Sequence, residues 1–144
     1  MAACNANSGG SSNSGDPQAE DKPIKEVASL DTTMVKVVNG MIIPTEKPCV
    51  VDFNATWCGP CKTYSPIFES VATEYAEAAI FLSIDVDQYP EIANKYEVQS
   101  IPCTVFILPG GGVMSKEVGV IDKQRLDTFM NQLIATNAGS GDGI

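Results

Sequence analysis

Cys58 and Cys61, two residues apart in the run Trp57-Cys58-Gly59-Pro60-Cys61-Lys62, form a dithiol that can close into a small disulfide ring and open again. That is two-electron redox chemistry, and a thiol attacks a disulfide only as its thiolate. The apolar run Cys49-Val50-Val51-Asp52-Phe53 before the pair reads as a buried strand, and a helical pattern from Pro60 to Ala79 follows it. The pair therefore falls at a strand-to-helix junction. There Cys58 faces the free N–H groups and the positive end of the helix dipole, which stabilise a negative sulfur. Cys61, one turn inside, is expected to be less exposed. Cys58 is thus the expected nucleophile and Cys61 the resolving thiol. The alternative, half of a structural zinc site, needs two further ligands. The sequence has no histidine, and Cys4, Cys49 and Cys103 stand alone, so no metal is expected.

Asp52 is the third candidate. A carboxylate inside an apolar strand is costly to ionise, so its pKa should be raised. Resolution requires Cys61 to lose a proton, and a carboxylate near it can accept that proton through water. The bland alternative, an exposed aspartate at a strand end, fits poorly with Val50, Val51 and Phe53 as neighbours. Gly59 and Pro60 support the pair. Proline at the start of a helix gives up a donor that was unpaired anyway, and glycine lets another backbone come close.

The block Val51-Asp52-Phe53-Asn54-Ala55-Thr56-Trp57-Cys58-Gly59-Pro60-Cys61-Lys62 resembles the active-site segment of the thioredoxin family, and further matches follow in order. Ser65-Pro66-Ile67-Phe68 resembles its mid-helix proline segment, Asp85-Val86-Asp87 the end of its third strand, and Ser100-Ile101-Pro102 its cis-proline loop. Val118-Gly119-Val120 resembles its last strand, and the likeness covers about residues 24 to 136. The resemblance implies the thioredoxin fold, an α/β architecture with a central mixed five-stranded sheet flanked by four helices. It implies a general protein-disulfide reductase in which Asp52 transfers the proton and the Gly-Pro pair favours reduction. Trp57, Pro60, Ile101, Pro102 and Gly119 would form the surface on which substrate peptides dock, with the Ile101–Pro102 bond cis. The implied electron donor is NADPH through a separate thioredoxin reductase. Implied acceptors are peroxiredoxins, methionine sulfoxide reductases and ribonucleotide reductase. No bound cofactor is expected beyond the redox-active Cys58–Cys61 disulfide.

Three residues depart from the family pattern. Ser83 stands where a basic residue usually helps keep the buried aspartate ionised. Asn54 replaces an aromatic or small residue. Cys103 follows the cis-proline where threonine is usual; it reads as a small buried residue, with a third, oxidisable thiol as the sharper alternative. Two rival functions are weighed against disulfide reduction. A secretory disulfide isomerase is disfavoured by the absence of a histidine between the cysteines. A redox-controlled binding module without turnover is disfavoured by the set Cys58, Cys61 and Asp52.

The elements that must position these groups read as an alternating series. Strands are expected at Ile24–Ala28, Pro48–Asn54, Ile80–Val86, Thr104–Leu108 and Lys116–Val120, the last two joined through Pro109-Gly110-Gly111-Gly112. Helices are expected at Leu30–Val38, Pro60–Ala79 with a break at Pro66, Glu91–Tyr96, and from an Asp122 N-cap onward with Leu126, Phe129, Met130 and Leu133 on one face. Residues 1–22, rich in Ser, Gly and Asn, are expected to be disordered; 23–136 form the domain; 137–144 are expected to be a flexible tail. Cys4 is expected to be an exposed thiol without a role, lipidation being the alternative.

The chain has 144 residues, enough for one domain, and a net charge of -9. An acidic surface repels nucleic acid and anionic membranes, so neither is expected as a partner. Five cysteines, an odd count, and a first segment without a basic and apolar leader suit a reducing compartment. A cytoplasmic monomer is expected.

Overall fold

The computed structural model describes residues 24–142. Seven strands and three α-helices are found among them: β1 (Ile24–Glu26), β2 (Val35–Val38), β3 (Met41–Pro44), β4 (Cys49–Asn54), α1 (Gly59–Glu74), β5 (Ile80–Asp85), α2 (Pro90–Lys95), β6 (Cys103–Ile107), β7 (Val113–Val118) and α3 (Lys123–Asp142). A 3-10 turn, Val27–Ser29, follows β1. The expectations for Cys4 and for residues 1–22 lie outside the described residues.

Five strands form one sheet in the order β1-β5-β4-β6-β7, parallel across β1-β5-β4 and antiparallel across β4-β6-β7. This is the mixed five-stranded α/β sheet expected. The central strand β4 is buried at Cys49, Val50, Val51, Asp52 and Phe53, as its lack of polar alternation requires. Its two faces feed two cores. Cys49, Val51, Phe53, Leu82, Ile84 and Val105 pack against α2 and the hairpin. Val50, Phe81 and Phe106 pack against α1 and α3.

The flanking elements depart from expectation in one place. Leu30, Met34, Val37 and Val38 fit a helical period, yet the chain there forms β2 and pairs with β3 as a hairpin of its own. Asn39 and Gly40 make the turn with φ of 52° and 82°, the left-handed pair that a two-residue hairpin turn requires. Ahead of it, Asp31 Oδ1 accepts from the Thr33 amide and hydroxyl, which fixes a turn instead of a helix start. Val35 and Ile42 bury their side chains, while Val37 and Val38 stay exposed. The hairpin is held by the Tyr96 hydroxyl, which accepts from the Ile42 amide at 2.8 Å, and by the Gly110 amide, which donates to the Pro44 carbonyl at 2.8 Å. Three flanking helices are found among the described residues.

Asp122 caps α3, its Oδ1 accepting from the Arg125 amide at 2.8 Å, and Leu126, Met130 and Leu133 are buried as expected. The helical backbone continues to Asp142, since adding a residue to a formed helix needs no new nucleus. The final strand begins at Val113 and ends at Val118, earlier than expected, because the Leu108 amide closes the turn on the Gly112 carbonyl at 2.7 Å.

Candidate active site

The carboxyl end of β4 runs into α1 through Ala55-Thr56-Trp57, and Cys58 is the helix N-cap. Its backbone is still extended, and the helix begins with Gly59 and Pro60 in the first two positions. The Cys61 amide donates to Cys58 Sγ at 3.2 Å. Cys58 and Cys61 are joined in a disulfide, with 5.3 Å between their Cα atoms. The ring packs on Ala55, Val86 and Ile101. Cys58 and Cys61 are 4% and 5% exposed. The expectation that Cys61 is less exposed is thus not met in the closed ring, because the bond ties both sulfurs into the same apolar pocket. What separates the two cysteines is the cap: the helix N–H groups point at Cys58, so a thiolate there is the better stabilised.

The residues around the ring come from four different segments. Trp57 is 67% exposed and its Nε1 donates to Asp87 Oδ2 at 2.7 Å, which fixes the indole on the surface beside the ring. Pro60 is exposed, and open space lies over Gly59. The Ile101–Pro102 bond is cis. Pro102 itself is buried, and its carbonyl accepts from the Gly119 amide at 2.8 Å, so Gly119 is brought against the cis-proline loop with a φ of 100°. Of the five expected docking residues, Pro102 therefore shapes the surface from beneath while Trp57 and Pro60 are displayed on it.

Asp52 lies behind the ring, 5% exposed, and shares a cleft of about 370 Å³ with Cys61, Asn54, Lys62, Ser65 and Ser83. Burial pushes its carboxyl up to about 7, opposed by a contact with Asn54. Its Oδ1 is buried with no hydrogen-bond partner. Ser83 is its direct neighbour in register on β5 and Thr104 on β6. Asn54 Nδ2 donates to Ser83 Oγ at 2.9 Å and to the Asp52 main-chain carbonyl at 3.0 Å.

Two groups near Asp52 were not anticipated. Tyr64 on α1 is fully buried and its hydroxyl bonds Thr104 Oγ1 at 2.8 Å. Burial raises the Tyr64 pKa, and the Asp52 charge adds to the rise. Thr104, also fully buried, takes up its hydroxyl in return. A tyrosine three residues after Cys61, on the helix face that must meet the sheet, is a signal that could have found the pair. Cys49 and Cys103 are free, buried thiols whose pKa values burial raises. This agrees with the simple reading of Cys103. Among the described residues no three metal-ligating side chains are grouped to hold an ion, and no helix is long and apolar enough to cross a membrane.

A family model for thioredoxin matches residues 30–132. The mitochondrial thioredoxin of Bos taurus is 38% identical over 93 residues, which are 65% of this chain and 55% of that protein. The chain thus spans about half the length of the mammalian relatives it matches. A thioredoxin of Mycoplasmoides gallisepticum is 46% identical over 89 residues, 62% of this chain and 87% of that protein. Among solved structures, a thioredoxin of Malassezia sympodialis superposes with a TM-score of 0.58 at 35% identity, covering 63% of this chain and 78% of that one.

Proposed function

The chain belongs to the thioredoxin family, and on that premise we propose that it is a thiol–disulfide oxidoreductase working as a general protein-disulfide reductase. The observation that carries this is the Cys58–Cys61 disulfide at the start of α1, sharing a cleft with a buried carboxyl. In the reduced protein the Cys58 thiolate, held by the helix N–H groups, attacks one sulfur of a substrate disulfide. That bond breaks, the distal substrate sulfur leaves as a thiolate, and a mixed disulfide forms. Cys61 then gives its proton to Asp52 through water and attacks Cys58 Sγ. The second substrate sulfur leaves, the substrate has gained two electrons, and the Cys58–Cys61 bond is restored. At neutral pH, a carboxyl with a pKa of about 7 is divided between its two forms, which suits a group that must take a proton and return it.

The proposed electron donor is an NADPH-dependent thioredoxin reductase, and the proposed acceptors are disulfide-bearing proteins such as peroxiredoxins. Trp57, Pro60, Ile101 and Gly119 are the proposed docking surface. The proposed location is the cytoplasm, supported by the odd cysteine count; relatives are named for mitochondria and chloroplasts as well as bacteria. Fractionation of cells decides among these locations.

Insulin reduction driven by NADPH and a thioredoxin reductase tests the activity. Turnover is expected for the parent, none for Cys58→Ser, and accumulation of a stable mixed disulfide for Cys61→Ser. Absence of turnover in the parent, with partners still captured, would favour the binding-module reading instead.

A further inference from the structure

Asn54 is the last residue of β4, two positions beyond Asp52 and on the same face of the sheet. Its Nδ2 reaches three acceptors: Ser83 Oγ at 2.9 Å, the Asp52 main-chain carbonyl at 3.0 Å, and Asp52 Oδ2 at 3.4 Å. An amide nitrogen carries two hydrogens. The two short contacts use them, and the long one is shared with Oδ2. One carboxyl oxygen is therefore held from the strand end, while the other, Oδ1, is buried and unpartnered. The contact from Asn54 is therefore the one side-chain donor to the carboxyl among the described residues, and it favours the ionised form. Asn54 also holds the Ser83 hydroxyl by donating to it.

The groups around Asp52 leave the clamp a measurable role. Glu26 on β1 lines the cleft, with Cys61, Lys62 and Glu69 on α1. Tyr64 on α1 and Cys103 on β6 both sense the Asp52 charge. Lys62 is exposed to solvent, which weakens its pull on a buried carboxyl. The dipole of the Asn54 amide is thus the nearest favourable partner of the ionised form, and it opposes the effect of burial.

We propose that Asn54 is a positioning residue for proton transfer between Cys61 and Asp52, a neutral clamp that holds Asp52 Oδ2 and the Ser83 hydroxyl from the strand end. It rests on the disulfide-reductase reading. Clamp and reading can fail separately.

The oxidised full chain is the best sample, because its paired cysteines do not titrate and the sequence has no histidine. The titration of the Asp52 carboxyl is followed by carbon NMR in the parent, Asn54→Ala and Asn54→Ser. In Asn54→Ala the midpoint should rise by about half a pH unit, the size of one weak hydrogen bond to the charged form. Single-turnover release of substrate should then be about threefold slower than in the parent near pH 6, the two rates converging near pH 8.5. Asn54→Ser, with a shorter donor, should fall between them. A midpoint unmoved in both variants, or a slowing of release equal at all pH values, overturns the role of Asn54. If the midpoint moves but Asp52→Asn releases substrate at the parental rate at every pH, the reading of Asp52 as proton acceptor falls, and proton positioning with it.

Discussion

On the face of the sheet under α2 and the hairpin, the register rows Leu82–Val51–Val105 and Ile84–Phe53–Cys103 are fully buried. On the face under α1 and α3, the row Phe81–Val50–Phe106 is equally dry. The next row on that face, toward the cysteines, is Ser83–Asp52–Thr104, and Glu26 and Glu117 extend it on the outer strands. The first face is occupied by apolar groups that gain from the loss of water. The second uses the same dryness against a carboxyl, whose charged form loses hydration. One low-dielectric interior thus stabilises the domain on one side and holds a proton near neutral pH on the other.

The largest break of this contrast comes from the dry face. Phe53, which packs against Tyr96 with ring centroids 6.0 Å apart, is fully buried. Phe53→Ala should cost about 3–5 kcal/mol, as large cavities do. Urea unfolding should give the same loss across about pH 5–9, because no titrating group is exposed or relieved. A loss that varies with pH would show that this face also senses charge.

Asp52→Asn should invert that behaviour. The folded carboxyl keeps its proton up to about pH 7, whereas the unfolded one loses it near pH 4. The contribution of this carboxyl to stability is therefore fully present below the unfolded pKa and is lost as pH rises from about 4 to about 7, by about 2–4 kcal/mol in all. The variant should lack that slope. It should match the parent near pH 4 and exceed it by about that amount near pH 8 in urea unfolding. On the proposed mechanism its substrate release should be roughly 10- to 100-fold slower, because Cys61 would lose its proton acceptor. A flat parental curve together with full activity in the variant would remove Asp52 from the mechanism.

Ser83→Lys sharpens the contrast by placing a cation in register with Asp52. The carboxyl midpoint should fall by about one pH unit or more, restoring about 1 kcal/mol of stability near pH 8. NMR titration reads the shift directly. The smallest effect on the titration is expected for Tyr64→Phe, which strips Thr104 Oγ1 of its bond to Tyr64. It should cost about 1–2 kcal/mol without altering the slope of stability against pH. A changed slope would make Tyr64 part of the proton site.

The redox pair, its place at a helix start and the raised pKa of Asp52 were legible in the sequence because each depends on neighbours within a few residues. Two cysteines three positions apart meet once α1 forms, and a carboxylate inside Cys49–Phe53 must be buried if that strand is. The helix expected at Leu30–Val38 does not form, because the apolar residues at helical spacing are not the ones the fold buries: Val35 is buried while Val37 and Val38 are exposed. The Asn39-Gly40 pair was the stronger signal, since few other residues adopt two consecutive positive φ values. Asn54 and Ser83 were visible only as separate departures. They lie 29 positions apart, and Tyr64 and Thr104 lie 40 apart. Whether such residues touch depends on strand register and on which helix covers which face. Local preference sets neither; both follow from the packing that buries the two cores together. The sequence by itself determined the chemistry of the site, and tertiary structure decided which groups surround the proton.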